Sequence, residues 1–132
     1  MRLLLLIAVA ALAGPAIGKE RAAFIKGQYA TEKDCQKLRA IEAGGARNVE
    51  TAPELLDASG FNGWEGACEF TKVFEHDAGK SWIGLMACFE GPNFSPQTYI
   101  FLRSDADDSF EVSTANKDEP EIYKRCDAEK GK

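Results

Sequence analysis

The chain has 132 residues, which is enough for one domain with a modest core, and its 21 acidic against 16 basic residues give a formal net charge of −5. This charge argues against nucleic acid and anionic lipid surfaces as partners, because both are bound by basic surfaces. The four cysteines are far apart in sequence and there is a single histidine. We therefore predict no metal site and no cofactor.

The first residues have the pattern of a signal peptide. Arg2 supplies the positive charge, Leu3–Ala13 an apolar run, and Ala16–Gly18 a small-x-small cleavage site. We predict removal of residues 1–18, with cleavage after Ala13 as the alternative. The apolar run is too short to span a bilayer, so we expect no stable membrane insertion of the mature protein. Residues 19–132 are then a single periplasmic or secreted domain.

The N-terminal part of this domain predicts a strand, a helix and a second strand. Residues 22–30 are short and aromatic at both ends, which is typical of a strand. Thr31 has the character of an N-cap, and apolar residues then recur at helical spacing until Gly44 and Gly45, so we predict a helix over 32–43. An extended strand broken by the glycines is the alternative. A further strand is expected at 54–57, just after Pro53.

Residues 63–91 predict a β-hairpin and a disulfide within it. Asp77-Ala78-Gly79 has the form of a three-residue hairpin loop with glycine in the left-handed position. Counting outward from this loop pairs His76 with Lys80, Phe74 with Trp82, Val73 with Ile83, Phe70 with Met86, and Cys68 with Cys88. Directly opposed residues on antiparallel strands are close enough for a disulfide. We therefore predict a Cys68–Cys88 bond, which leaves Cys35 to pair with Cys126.

The same register assigns the two faces of the hairpin. The even-numbered face is expected to be the core face, and it comprises Trp64, Cys68, Phe70, Phe74, Trp82, Met86 and Cys88, interrupted by Lys72 opposite Gly84. The odd-numbered face also carries apolar residues that need cover, and the 32–43 helix is the nearest candidate.

The C-terminal part predicts a loop and three strands. Residues 91–97 are expected to form a loop with an exposed Phe94, followed by strands at 98–103, around Phe110 and Val112, and at 121–126. The fold class is therefore mainly β: an antiparallel meander curled into a small barrel-like sheet, with one short helix near the N-terminus and two disulfides. Two arrangements agree with these predicted strands and disulfides: a closed barrel, and an open curled sheet with the helix across one face.

Two short segments resemble a known family. Gly27-Gln28-Tyr29 near the first strand and Arg125 on the last strand resemble the Gly-x-Trp and late arginine of the lipocalin-like (calycin) β-barrels, although tyrosine replaces the tryptophan. This resemblance implies that the Tyr29 ring closes one barrel end and that Arg125 packs over it. A broader resemblance is to small exported four-cysteine proteins of Gram-negative bacteria without assigned function, and it rests on the elements around Trp64–Cys68 and Tyr123–Cys126. It implies no activity.

We predict a binding protein rather than an enzyme, with no catalytic residues. His76 flanks a hairpin turn without a nucleophile in view, and Asp105, Asp107 and Asp108 lack the remaining ligands of a calcium loop.

Two functions remain open. One is a carrier or sensor of a small ligand held inside the barrel, and the other is a protein-binding module such as an inhibitor of a secreted hydrolase. The partner is thus an unknown small molecule or exported protein. The candidate binding residues are Trp64, Lys72, Trp82 and Phe94. Trp64 and Trp82 are candidates for the wall of a pocket, Lys72 for a contact to an anionic ligand in the interior, and Phe94 for the tip of an inhibitory loop.

Overall fold

The computed structural model describes residues 19–45 and 49–127. The predicted signal peptide lies outside these residues and stays a prediction. Eight strands and one helix make up the fold: β1 Tyr29–Ala30, α1 Glu32–Glu42, β2 Leu55–Asp57, β3 Gly60–Asn62, β4 Ala67–Asp77, β5 Ser81–Glu90, β6 Asn93–Arg103, β7 Ser109–Thr114 and β8 Glu121–Arg125.

The strands form a closed antiparallel barrel. Each strand pairs with the next along the chain, and β1 pairs with β8 to complete the circle. This confirms the mainly β fold with one short helix and two disulfides, and of the two predicted arrangements it is the closed one. The closing contact is small, because β1 is joined to β8 only through Tyr29↔Arg125 and Ala30↔Lys124. Within the described residues, no helix is long and apolar enough to cross a membrane.

The disulfides are those predicted. Cys68 and Cys88 are directly opposed on β4 and β5 and are bonded. Cys35 in α1 is bonded to Cys126, just after β8. Both sulfur atoms of the second bond lie in a small buried cluster outside the barrel interior, packed against Ala30, Leu38 and Leu55. This bond therefore fixes the helix across the seam where the barrel closes.

The predicted hairpin register is correct at its base and wrong near its turn. Cys68↔Cys88 and Phe70↔Met86 are paired as expected, but Val73 lies opposite Gly84 and Phe74 opposite Ile83. The cause is two irregularities in β4, between Phe70 and Lys72 and between Glu75 and Asp77. Each inserts one extra residue, and an extra residue reverses which side chains point inward.

The actual turn is displaced by one residue from the predicted one. Asp77 pairs with Ser81, so the three loop residues are Ala78, Gly79 and Lys80. Gly79 has a φ of 69°, the left-handed conformation expected of a glycine in such a loop. The two extra residues in β4 cancel the change of register that the displaced turn introduces. The two cysteines are therefore opposite each other, as predicted.

Helix α1 begins where the sequence indicates. The Thr31 hydroxyl accepts a hydrogen bond from the backbone N–H of Asp34 at 3.4 Å, which caps the first turn. The helix packs on β1 and β8, because Cys35 is buried against that seam. The prediction that it covers the outer face of the β4–β5 hairpin was wrong, and Leu85 and Phe89 on that face are exposed.

Candidate functional site

Aromatic rings occupy the barrel interior. Phe70, Phe101 and Phe110 are fully buried, and the Phe101 ring centroid lies 5.7 Å from that of Phe70 and 6.5 Å from that of Phe110. Phe61 continues this stack, with its ring centroid 6.2 Å from that of Phe101. The rings make the interior a packed core.

One end of the barrel is closed by the segment that precedes β1. Phe24 stacks on the Trp82 indole with 4.2 Å between the ring centroids and 3° between the planes. The Arg103 guanidinium lies 5.2 Å from the Trp82 ring centroid and donates a hydrogen bond to the Phe24 carbonyl at 3.0 Å. Trp82 is 4% exposed, so it is part of the core, and the indole N–H is satisfied by Glu75 at 3.1 Å. Trp82 also lies in the lining of a second cleft, of about 460 Å³, together with Phe24 and Arg103 at this end of the barrel.

The residues of the calycin resemblance also meet at this end. Tyr29 is buried and donates a hydrogen bond to Asp108 at 2.7 Å, and Arg125 pairs with the same carboxylate at 3.2 Å. Burial raises the pKa of the Tyr29 hydroxyl well above its ordinary value, and the hydrogen bond to Asp108 raises it further. A Cβ on Gly27 would come within 3.1 Å of the Arg125 guanidinium, so a glycine suits this close approach. The family resemblance itself stays a prediction.

The opposite end of the barrel, the open end, contains a cleft of about 490 Å³. We call it the open-end cleft. One wall comes from α1 and the segment before β2, and the other from the turns that flank the Cys68–Cys88 disulfide. Its lining includes four aromatic side chains, Phe61, Trp64, Phe89 and Phe94, four carboxylates, Asp34, Glu54, Glu65 and Glu90, and the amine of Lys37.

Trp64 lies on the rim of the cleft in the turn between β3 and β4. The backbone N–H of Gly63 donates to the carbonyl of Gly66 at 2.9 Å, which closes this turn. A Cβ on Gly66 would lie 2.2 Å from the Phe89 carbonyl oxygen, so only glycine lets the turn pack this closely on β5. Trp64 is 67% exposed. Its predicted place on the core face was wrong, because β4 begins only at Ala67 and the alternation does not extend back to it.

Phe94, in β6, also lines the cleft. The predicted loop over 91–97 was wrong: β6 begins at Asn93, and Glu90 pairs with Asn93 around a two-residue turn. Gly91 has a φ of 57°, as the first central position of a type II′ turn requires. Phe94 is 62% exposed, as predicted, and its ring centroid is 5.3 Å from that of Phe89. The structure thus brings two of the four predicted binding residues, Trp64 and Phe94, to one cleft.

The cleft carries an excess of negative charge. Lys37 lies 3.2 Å from the Asp34 carboxylate and donates to the Thr51 hydroxyl at 2.8 Å, so its charge is already matched. Glu54 accepts a hydrogen bond from Tyr123 at 2.8 Å. Glu65 and Glu90 are exposed, and within the described ranges neither makes an ion pair.

Two tyrosines form the polar boundary between the cleft and the core. Burial raises the pKa of the Tyr123 hydroxyl strongly, and the nearby Glu54 carboxylate raises it further. Burial also raises the pKa of Tyr99, again with a contribution from Glu54. Both hydroxyls therefore stay protonated and act as hydrogen-bond donors, Tyr123 to Glu54 and Tyr99 to the Gln97 side-chain carbonyl at 3.1 Å.

Lys72 is not in the interior. The bulge after Phe70 turns Lys72 to the outer face, where it is exposed and lies opposite Leu85 instead of Gly84. Its amine is 5.8 Å from the Phe74 ring centroid, and Phe74 is itself exposed rather than part of the core. The predicted contact between Lys72 and an interior ligand therefore lacks its geometric basis.

The remaining polar candidates form no metal site. No group of three or more histidine, cysteine or acidic side chains is arranged for a metal ion in the parts of the chain that the structure describes. His76 is exposed in β4 next to the hairpin turn. Asp107 accepts a hydrogen bond from Ser109 and Asp108 binds Tyr29 and Arg125, so these carboxylates have structural partners.

The other lining residues of the cleft were not predicted from the sequence. Phe89 was assigned to a covered outer face, and Glu54, Glu65 and Glu90 have no distinctive sequence pattern among 21 acidic residues. The one usable signal was position, because Trp64, Glu65, Glu90 and Phe94 all lie beside turns at the same end of an antiparallel hairpin pair.

The chain has no significant match among protein-family models, curated proteins or solved structures.

Proposed function

We propose that this chain is an exported protein-binding module that engages its partner at the open-end cleft. The observation that carries the proposal is the exposure of Trp64 and Phe94, which both line one cleft. Exposed apolar side chains that share one cleft with polar groups are typical of a protein-interaction site, and Trp is enriched among residues that dominate binding energy.

The scaffold supports this role because the rims are fixed before binding. The Cys68–Cys88 disulfide joins the two strands that lead to the Trp64 turn and to the Gly91 turn. A pre-ordered rim loses less conformational entropy when a partner binds. Inhibition of a secreted hydrolase is one activity that such a rigid rim would serve. The two disulfides also support a periplasmic or secreted location.

A small-ligand carrier is the second candidate. The cleft volume of about 490 Å³ lies within the range of small-molecule sites. In this case the ligand binds at the open end rather than in the interior, which aromatic rings fill. Native mass spectrometry of protein recovered from its own exported fraction separates the two candidates, because a carrier retains a defined small-molecule mass increment.

The direct test is affinity capture from that fraction with matched variants. Phe94→Ala and Trp64→Ala each remove a rim aromatic. Leu102→Ala is the control, because Leu102 is also an exposed apolar residue of β6 but lies at the closed end.

A partner that binds at the cleft should lose at least about tenfold in affinity with either rim variant and little with the control. Equal retention by the three variants would refute the proposed site.

A further inference from the structure

We infer that the open-end cleft is a receptor for a basic side chain, an arginine above all, presented by the partner protein. This inference rests on the proposed function and names the chemistry that the cleft selects. It rests on the aromatic walls, on the carboxylates, and on the pairing of Lys37, the single basic side chain among the described lining residues, with Asp34.

The aromatic walls provide ring faces for a cation. Trp64 and Phe94 are mostly exposed, and Phe89 is 43% exposed beside Phe94. A guanidinium held over the face of a Trp or Phe ring is attracted by the negative charge of that face, and arginine makes this contact more often than lysine.

Two of the four carboxylates of the cleft, Glu65 and Glu90, make no ion pair within the described residues. Lys37 is the single basic side chain among its described lining residues, and it is already paired with Asp34. Glu65 and Glu90 line the same cleft as Trp64 and Phe89, so its lining combines unpaired carboxylates with aromatic residues. Carboxylates accept two parallel hydrogen bonds from a guanidinium, which adds geometric selectivity for arginine over lysine.

The closed end of the same barrel shows the arrangement with its cation in place. There Arg103 lies 5.2 Å from the Trp82 ring centroid and 5.3 Å from that of Phe110, and it donates to a backbone carbonyl. The open-end cleft has aromatic rings and carboxylate acceptors, but its one described basic side chain is already paired. A cation that binds there must therefore come from a partner. Charge complementarity thus favours a basic segment of a protein as the occupant.

The test compares two blocked tripeptides, acetyl-Gly-Arg-Gly-amide and the same peptide with citrulline in place of arginine. Citrulline has nearly the shape of arginine but no charge. Binding is followed by ¹⁵N–¹H NMR titration, which gives both the affinity and the residues that respond. We expect signals of the cleft residues to shift, and the arginine peptide to bind about tenfold more tightly.

Matched variants assign the preference to the rim carboxylates. Glu65→Gln/Glu90→Gln should bring the affinity ratio of the two peptides close to one. Asp105→Asn/Glu111→Gln is the control, because it removes the same charge from a turn at the closed end and from β7. It should leave the ratio unchanged. Glu65, Glu90 and Asp105 are exposed and Glu111 is half-buried, so each variant should fold.

The possible outcomes separate this inference from the proposed function. Equal affinity for the two peptides at the cleft would overturn the preference for a cation and leave the cleft as a protein-binding site. No response of the cleft to either peptide would also overturn it, and the capture experiment would then decide the proposed function independently. An arginine preference that survives Glu65→Gln/Glu90→Gln would refute the role of these carboxylates.

Discussion

The two disulfides should contribute unequally to stability because they close loops of different length. Cys35–Cys126 has a sequence separation of 91 and Cys68–Cys88 one of 20. The chain-entropy model gives about 4.6 kcal/mol for the longer loop and about 3.3 kcal/mol for the shorter one at 25 °C. Cys35→Ala/Cys126→Ala should therefore lower the free energy of unfolding by about 1.3 kcal/mol more than Cys68→Ala/Cys88→Ala.

The structure adds a local expectation to this difference. β1 has two residues, and it is joined to β8 by two register pairs and to β2 by one. Without the bond from α1 to Cys126, the seam between β1 and β8 depends on these register pairs, the hydrogen bond from the Cys126 N–H to the Gln28 carbonyl and the Glu32–Lys124 ion pair. Hydrogen exchange should therefore accelerate first in β1 and β8 of the Cys35→Ala/Cys126→Ala variant, and the β4–β5 pair should stay protected.

Urea denaturation of the two double variants and the wild type measures the free energies. A larger loss for Cys68→Ala/Cys88→Ala would refute the loop-length argument. Uniform acceleration of exchange across all strands would show that the Cys35–Cys126 bond does not act at the seam.

Three further predictions concern the core and the cleft. The three tyrosines, Tyr29, Tyr99 and Tyr123, all have a raised pKa, so absorbance at 295 nm should show less ionisation near pH 10 in the folded protein than in the unfolded protein. The free energy of unfolding should fall above pH about 10 by about 1.4 kcal/mol per pH unit for each tyrosine that ionises only in the unfolded state. Ionisation of all three tyrosines near pH 10 in the folded protein would contradict this. Phe24→Ala should expose the Trp82 ring, shift its fluorescence to the red and lower the free energy of unfolding, measured by thermal denaturation, by about 3 kcal/mol. Unchanged Trp82 emission would count against the stacked geometry. Gly66→Ala should cost about 1–3 kcal/mol because its Cβ meets the Phe89 carbonyl, and a variant as stable as wild type would show that the turn can move away.

The sequence predicted most of the fold because several local signals agree with the tertiary structure. The opposed Cys68 and Cys88, the Thr31 cap and the turn glycine Gly79 each have a local physical cause that can be read along the chain. The bulges in β4 have no such signature. Each depends on contacts across the barrel, so the alternation could not show that Lys72 and Phe74 point outward.

The candidate site was predicted only in part, for a related reason. The exposure of Phe94 followed from its position beside a turn, but Trp64 was placed in the core by extending a strand pattern beyond the start of β4. The convergence of Glu54 and Glu90 on the same cleft depends on barrel closure, which brings the segment before β2 close to the end of β5. Closure is a property of the whole chain.

Site-specific photo-crosslinking tests the central claim most directly. A benzoylphenylalanine replacing Phe94 and, in a second sample, replacing Leu102 places the same reactive group at the two ends of β6. After irradiation of the producing cells, we expect a discrete protein adduct from position 94 and none from position 102. Adducts of equal yield from both positions, or from position 102 alone, would contradict the assignment of the open-end cleft as the binding site.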